Sequence, residues 1–361
     1  MAISELGKRV LVTGAGGWLG GEVASRLAAT GAVVTGLVHR RPEVRGNGGE
    51  PVTLARTLVG DIAAPMLGWT PAAWAAEAAS FDLIVHCAAL TQFTAEPDLA
   101  EAVNVTGTKT IAGLAKVGAG RMLHVSTAYV NGGCDGTVLE SDVPTGPFTN
   151  VYEASKAAGE MAVRGAGLRA VIARPSIVLG EWATGAVREF GTFYYLLKVL
   201  ADGLVKRMPA EPGATLDLVP VDHVAAGIMA LIERFDDAAG RTFHLVSGAP
   251  TPLQAFPDTL ATFPGLAVPA FVPPAELGLQ GRAFTRLIAP YAPYFLRSPR
   301  FDDRAFRALT GLACPPVDAG YWERLVGFAL EAGFIGGAHA SRTGANGIAS
   351  DAPMPSSAGS R

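Results

Sequence analysis

Short apolar runs alternate with alanine-rich stretches of helical spacing over the first half of the chain. Aliphatic and β-branched runs predict strands at Arg9–Gly14, Val33–Val38, Asp82–Ala89, Arg121–Thr127 and Ala170–Ser176. Between them, "GGEVASRLAATG", "AEPDLAEAVNVTGTKTIAGLAKVG" and "NVYEASKAAGEMAVRGAG" carry apolar residues at helical spacing and stop on glycines. Apolar strands alternating with helices predict an α/β domain, a doubly wound parallel sheet covered on both faces.

After Gly180 the rhythm changes. "EFGTFYYLLKVLADGL" predicts a helix, "ATLDLVPVDHVAAGIMALIERF" a strand and then a helix capped by Asp222, and "TFHLVSG" one more strand. From Thr251 the chain is rich in Pro and Phe and loses the alternation, which suits a smaller, mostly helical substrate lobe. The expected organisation is a dinucleotide-binding domain over 1–180, with 216–248 returning to it. The lobe would then comprise 181–215 and 249–335. Residues 336–361 are a Gly/Ala/Ser/Pro segment expected to be a disordered tail.

Composition narrows the classes. The 361 residues are 49% hydrophobic and 17% charged, with a formal net charge of -3, which argues against a dedicated nucleic-acid binder. Cys87, Cys134 and Cys314 are odd in number and lack metal-ligand spacing, so no metal is expected and a reducing compartment fits. No signal peptide and no apolar run of membrane-spanning length is read, so the expectation is a soluble cytoplasmic protein without a membrane partner.

Chemistry first appears in "LVTGAGGWLGG". Gly14 permits a tight turn, Gly17 lets backbone approach a pyrophosphate, and Gly20 lets helix and strand pack closely, with Gly16, Trp18 and Leu19 between them. A glycine-rich turn with no ligand would give the same pattern. After the second strand, "GLVHRRPE" places Arg40 and Arg41 where an acid would accept from a ribose hydroxyl and a base would meet a 2′-phosphate. This favours NADPH over NADH, the alternative being a solvated arginine pair. Asp61, followed by Ile62, stands where a carboxylate could bond an adenine amino group or simply close an Asx turn. In "NVYEASKAAGE", Tyr152 and Lys156 are four apart on one helical face, so the ammonium is expected to draw the phenol's pKa down toward the working range. Ser126 and Thr127 supply hydroxyls at a strand end.

Together "TGAGGWLG", "HCAA", "VNVTGT", "HVSTAYVNG", "YEASK", "RPSIVLG" and "DLVPVDHVA" resemble the extended short-chain dehydrogenase/reductase superfamily, of Rossmann fold. "HVSTAYV", "RPSIVLGEWATG" and "LVPVD" are most similar to its male-sterility-type branch. That branch holds fatty acyl-CoA reductases and the terminal thioester-reductase domains of carboxylic acid reductases and peptide synthetases. The resemblance runs from Lys8 to Ala249. It implies Tyr152 as general acid, Lys156 on the nicotinamide ribose, Thr127 on the substrate oxygen, and Asn104 ordering the site or capping a helix. It also implies that Cys87, Ala88, Ala89, Pro175, Ser176, Ile177 and Val178 line the cofactor, with His86 a backbone-anchored wall residue. No attached carrier domain is expected from the sequence read, and Arg282, Arg286, Arg297 and Arg300 read as solvated helix faces rather than a carrier site.

Phe190, Phe193, Tyr194, Tyr195 and Leu196, with "FPGLAVPAFVPPAELGL", offer an apolar lining. The resulting expectation is an NADPH-dependent reductase of a hydrophobic carbonyl, CoA- or carrier-linked thioesters included. A ketone reductase or hydroxysteroid-type dehydrogenase is the alternative, a non-catalytic redox sensor the rival of another class, and a homodimer is left open.

Overall fold

A computed structural model describes residues 9–40, 42–118, 120–277 and 289–336. In β1 (Arg9–Thr13) successive side chains face opposite sides, so Val10 and Val12 enter one core and Leu11 the other. The same burial on both faces recurs in β2 (Val33–Val38), β4 (Leu83–His86), β5 (Arg121–Val125), β6 (Arg169–Pro175) and β7 (Thr242–Leu245). With β3 (Arg56–Val59) they form one seven-stranded sheet in the order β7-β6-β5-β4-β1-β2-β3, and every neighbouring pair is parallel.

The third strand is absent from the sequence expectation for a physical reason. It is an edge strand whose side chains are largely exposed, so no buried apolar run marks it.

Helices cover both faces. On one, α1 (Trp18–Ala29) brings Val23, Ala24 and Leu27 against Val224 and Ile228 of the helix Val221–Glu233. On the other lie α2 (Pro71–Ala78), α3 (Gly107–Val117) and α4 (Val151–Gly165), through Ala78, Ile111, Leu114 and Val163. A π-helical segment, Glu101–Thr106, precedes α3 and turns Asn104 inward. Strand order reverses between β1 and β4, and the carboxyl ends of those two strands bound the crevice where such sheets bind ligands.

The helix Val221–Glu233 is α6, and a second core gathers around α5 (Thr192–Ala201), the helix Ala255–Ala261 and α7 (Ala319–Glu331). The rings of Phe256 and Trp322 lie 4.4 Å apart at its centre. Short strands also pair there, Arg207–Pro209 with Ala270–Val272, while Pro299–Phe301 pairs with Gly136–Val138. Strands of three residues are too short to leave a periodic trace in the sequence. Asp222 also departs from expectation. It lies inside the first turn of α6 after Pro220, and its carboxylate accepts from the Trp182 N–H at 3.0 Å instead of capping the helix. Of the expected tail, residues 337–361 lie outside the described residues. Among the described residues, no helix is long and apolar enough to cross a membrane.

Candidate active site

β1 ends at Thr13 and the chain turns at Gly14, whose φ of +67° is left-handed. A Cβ there would stand 2.7 Å from the Ala88 Cα, and one on Gly20 would overlap the Gly14 carbonyl oxygen. α1 begins at Trp18 with Gly17 in the capping place, so no side chain covers its first N–H groups. Such a cradle fits the pyrophosphate of a dinucleotide.

The turn is strapped from two directions. The Trp18 indole N–H donates to Asn47 Oδ1 at 2.6 Å, and Asn47 Nδ2 donates to the Ala186 carbonyl at 3.2 Å. From the same far segment, the Arg188 guanidinium donates to the Gly16 carbonyl at 3.2 Å and to that of Arg45.

Beside the turn opens a cleft of about 480 Å³. It brings together Gly14, Gly17, Trp18, Leu19 and Gly20 with Cys87 and Ala89, then Thr127, Tyr152 and Lys156. Pro175, Ser176, Ile177 and Val178 complete this inner half.

Lys156 is buried, and its Nζ donates to the Val125 carbonyl at 2.6 Å. Burial lowers its pKa to about 8, opposed by the Cys87 and Glu160 charges. Burial likewise pushes the Tyr152 phenol up to about 12. The nearby Thr127 hydroxyl pulls it back, while the Glu153 charge adds to the rise. The Lys156 ammonium is turned to the Val125 carbonyl of β5. Ser126 donates its N–H to the Ala173 carbonyl at 2.7 Å, a strand-end role as expected.

Other expected residues lie off the cleft. Asn104 is bound on all sides: Oδ1 accepts from the Leu90 N–H at 2.8 Å, and Nδ2 donates to the Leu90 carbonyl and to Ser155 Oγ, each at 2.9 Å. It therefore shapes the loop after β4. Ala88 lies under Gly14, and Ile62 packs on Gly107. His86 is fully buried with its ring nitrogens 2.7 Å from Thr13 Oγ1 and 3.1 Å from Thr108 Oγ1, so side-chain hydroxyls anchor it rather than backbone. Burial drops its pKa to about 3, which keeps it neutral.

Arg40 is exposed just past β2. Asp61, just past β3, accepts the Ala63 N–H at 2.9 Å and lies 3.7 Å from His39 Nε2. Arg41, Arg282 and Arg286 lie outside the described residues.

The outer half of the cleft is aromatic. Phe193, Tyr194 and Leu196 line it as expected, but Phe190 does not, since it stacks on Phe334 at 4.0 Å, and Tyr195 is half exposed to solvent. None of residues 263–277 lines it either. Their place is taken by Phe93, Tyr129, Tyr291, Tyr294 and Phe295, which no sequence motif marks as lining. Phe93 stacks on Tyr152 at 5.7 Å and on Tyr294 at 5.4 Å. Arg297, expected on a solvated face, is 6% exposed and paired with the fully buried Glu153 at 3.0 Å. No local signal could have found that pair, whose members lie 144 positions apart.

A glycine turn at the switch point of a parallel sheet, opening on a cleft with a tyrosine–lysine pair, defines an NAD(P)-dependent oxidoreductase. Residues 50–228 match the NAD-binding family described as male sterility protein. The chain is 33% identical over 268 residues to dTDP-4-dehydrorhamnose reductase of Mycolicibacterium smegmatis, spanning 69% of this chain and 72% of that protein. It is 30% identical over 274 residues to the 4-hydroxy-2-methyl-3-oxo-4-farnesyl-3,4-dihydroquinoline-1-oxide ketoreductase of Stigmatella aurantiaca, spanning 72% and 74%. Among solved structures, the terminal R domain from the myxalamid PKS-NRPS pathway superimposes with a TM-score of 0.79 at 25% identity, over 92% of this chain and 93% of that one. The chain belongs to the extended short-chain dehydrogenase/reductases.

Proposed function

We propose that the protein reduces the carbonyl of a hydrophobic substrate using NADPH, and that reduction of a thioester to an aldehyde is the reaction the site supports best. The observation that carries this reading is the meeting of Thr127, Tyr152 and Lys156 beside the glycine turn, at the foot of an aromatic wall. Among the described lining residues only Lys156 and Glu189 are charged, and Glu189 has the wrong sign for a diphosphate. An apolar acyl or ketone group therefore suits the outer cleft better than a sugar nucleotide does. In this reading residues 1–180 and 216–248 hold the cofactor, and 181–215 with 249–335 hold the substrate.

Bound NADPH would supply the hydride. Tyr152, protonated at neutral pH, gives its proton to the substrate oxygen, and Thr127 donates a hydrogen bond to the same atom. Lys156 would hold the nicotinamide ribose. With a thioester the resulting hemithioacetal loses its thiol to leave the aldehyde; with a ketone the alcohol forms in one step. The ketoreductase relative favours keeping the ketone as a second reading.

Single-turnover oxidation of NADPH against a panel of acyl thioesters and ketones tests the assignment. Oxidation by apolar members supports it, and none by any member overturns it. For the cofactor, Arg40, exposed just past β2, supports the 2′-phosphate preference. Arg40→Ala is expected to weaken NADPH about tenfold more than NADH, a charged hydrogen bond being worth about 1.5–3 kcal/mol. Equal losses in a titration of both would end that preference.

A pH dependence follows from Lys156, whose ammonium persists below about 8. NADPH affinity is expected to hold from pH 7 to about 8 and then decline as the lysine loses its proton. Titrations across pH 7 to 10 should display this break, and Lys156→Ala should flatten it.

A further inference from the structure

Glu153 follows Tyr152 and has no exposure. Part of its work is local. Its N–H donates to Asn150 Oδ1 at 2.9 Å, and its Oε2 accepts from the Thr149 N–H at 2.9 Å, closing the first turn of α4. The other oxygen leaves the helix. Oε1 accepts the Tyr294 hydroxyl at 2.6 Å and the Arg297 guanidinium at 3.0 Å.

Both partners are themselves held. Asn150 Nδ2 donates to the Tyr294 oxygen at 2.9 Å. Arg297 donates to the Gly132 carbonyl, and its guanidinium lies 4.8 Å from the Tyr294 ring and 5.6 Å from that of Tyr129. A helix cap alone requires none of these contacts, and a solvated Glu would cap equally well. Burying two opposite charges is costly unless their geometry repays it, and the return here is placement. The segment so fixed carries Tyr291, Tyr294 and Phe295 into the cleft, and Tyr291 and Tyr294 pack on Phe93, which lies on Tyr152.

We propose that Glu153 is a positioning residue that determines specificity: tied to Tyr294 and Arg297, its carboxylate fixes the aromatic wall against the Tyr152 phenol and so limits the width of the carbonyl substrate that reaches it. The inference rests on the reading of the cleft as a carbonyl-reducing site. A wall held by buried charged bonds does not yield to a wide group, so narrow, unbranched acyl chains are admitted ahead of ring-bearing ones.

The test compares Glu153→Gln with Tyr294→Phe. Glutamine keeps the volume and an acceptor for the Thr149 N–H while losing the charge facing Arg297; phenylalanine keeps the ring and loses the bond. kcat and KM are measured for one straight-chain and one ring-bearing carbonyl substrate, with NADPH affinity in parallel. In both variants the preference for the straight chain is expected to fall about fivefold or more, through KM, with kcat changed by less than about twofold and cofactor affinity unchanged. An unchanged preference overturns the inference. So does a parallel loss of kcat for both substrates together with cofactor affinity, the mark of a loosened fold. Should the unaltered protein oxidise NADPH with no carbonyl substrate, the reading of the cleft itself fails; turnover with an unmoved preference removes the role of Glu153 alone.

Discussion

Tyr152→Phe is expected to lower the rate of carbonyl reduction by about 10²–10⁴-fold, the usual contribution of a placed general acid. The substitution takes away one hydroxyl and little else. The ring remains to stack on Phe93, and Lys156 keeps its bond to the Val125 carbonyl, so the cofactor side of the cleft is untouched. Because the phenol is pushed up to about 12, it is fully protonated at neutral pH, and what the variant loses is the proton itself. NADPH affinity should stay within about twofold, since the hydroxyl donates to substrate rather than cofactor. Single-turnover absorbance with a fluorescence titration separates the two effects. A variant that reduces substrate at the parent rate would remove Tyr152 from the mechanism.

The second large effect is on stability. Glu160→Leu is expected to cost about 3–5 kcal/mol, because it strands a buried cation. Arg174 has no exposed surface, and its Nε and Nη2 donate to Glu160 at 2.9 and 2.6 Å. Without Glu160, only the Asp142 carbonyl, 2.9 Å from Nη2, would remain to the guanidinium among the described residues. Burial pushes the Glu160 carboxyl up, yet the bonds from Arg174 and Arg164 outweigh it and hold the group below its ordinary value. Arg174→Met should cost less, since Arg164 still reaches Glu160 at 2.8 Å. Removing Glu160 and Arg174 together should restore much of the loss. Urea unfolding of the three variants checks the order, and equal costs for the two single changes would refute it.

How far the sequence could be read depended on how local each constraint is. Central strands such as β1 and β2 are buried on both faces, so they must be apolar throughout and declare themselves. Gly14 and Gly20 were legible because backbone crowding admits no other residue there. Tyr152 and Lys156 stood out because four positions place them on one helical face, whereas Thr127 was told from Ser126 only by the family resemblance. The wall was different. Tyr291, Tyr294 and Phe295 meet Tyr152 only through tertiary packing, and a Pro- and Phe-rich run looks the same whether it lines a cleft or fills a core. Arg297 misled for the same reason, its countercharge being far along the chain.

The straps at the glycine turn carry one more consequence. Asn47 and Arg188 join that turn to residues 186–188, so nucleotide grip and far-lobe order are thermodynamically reciprocal. Loading with dinucleotide is therefore expected to slow proteolysis around residues 186–188, to the extent that ordering that segment strengthens the grip on the ligand.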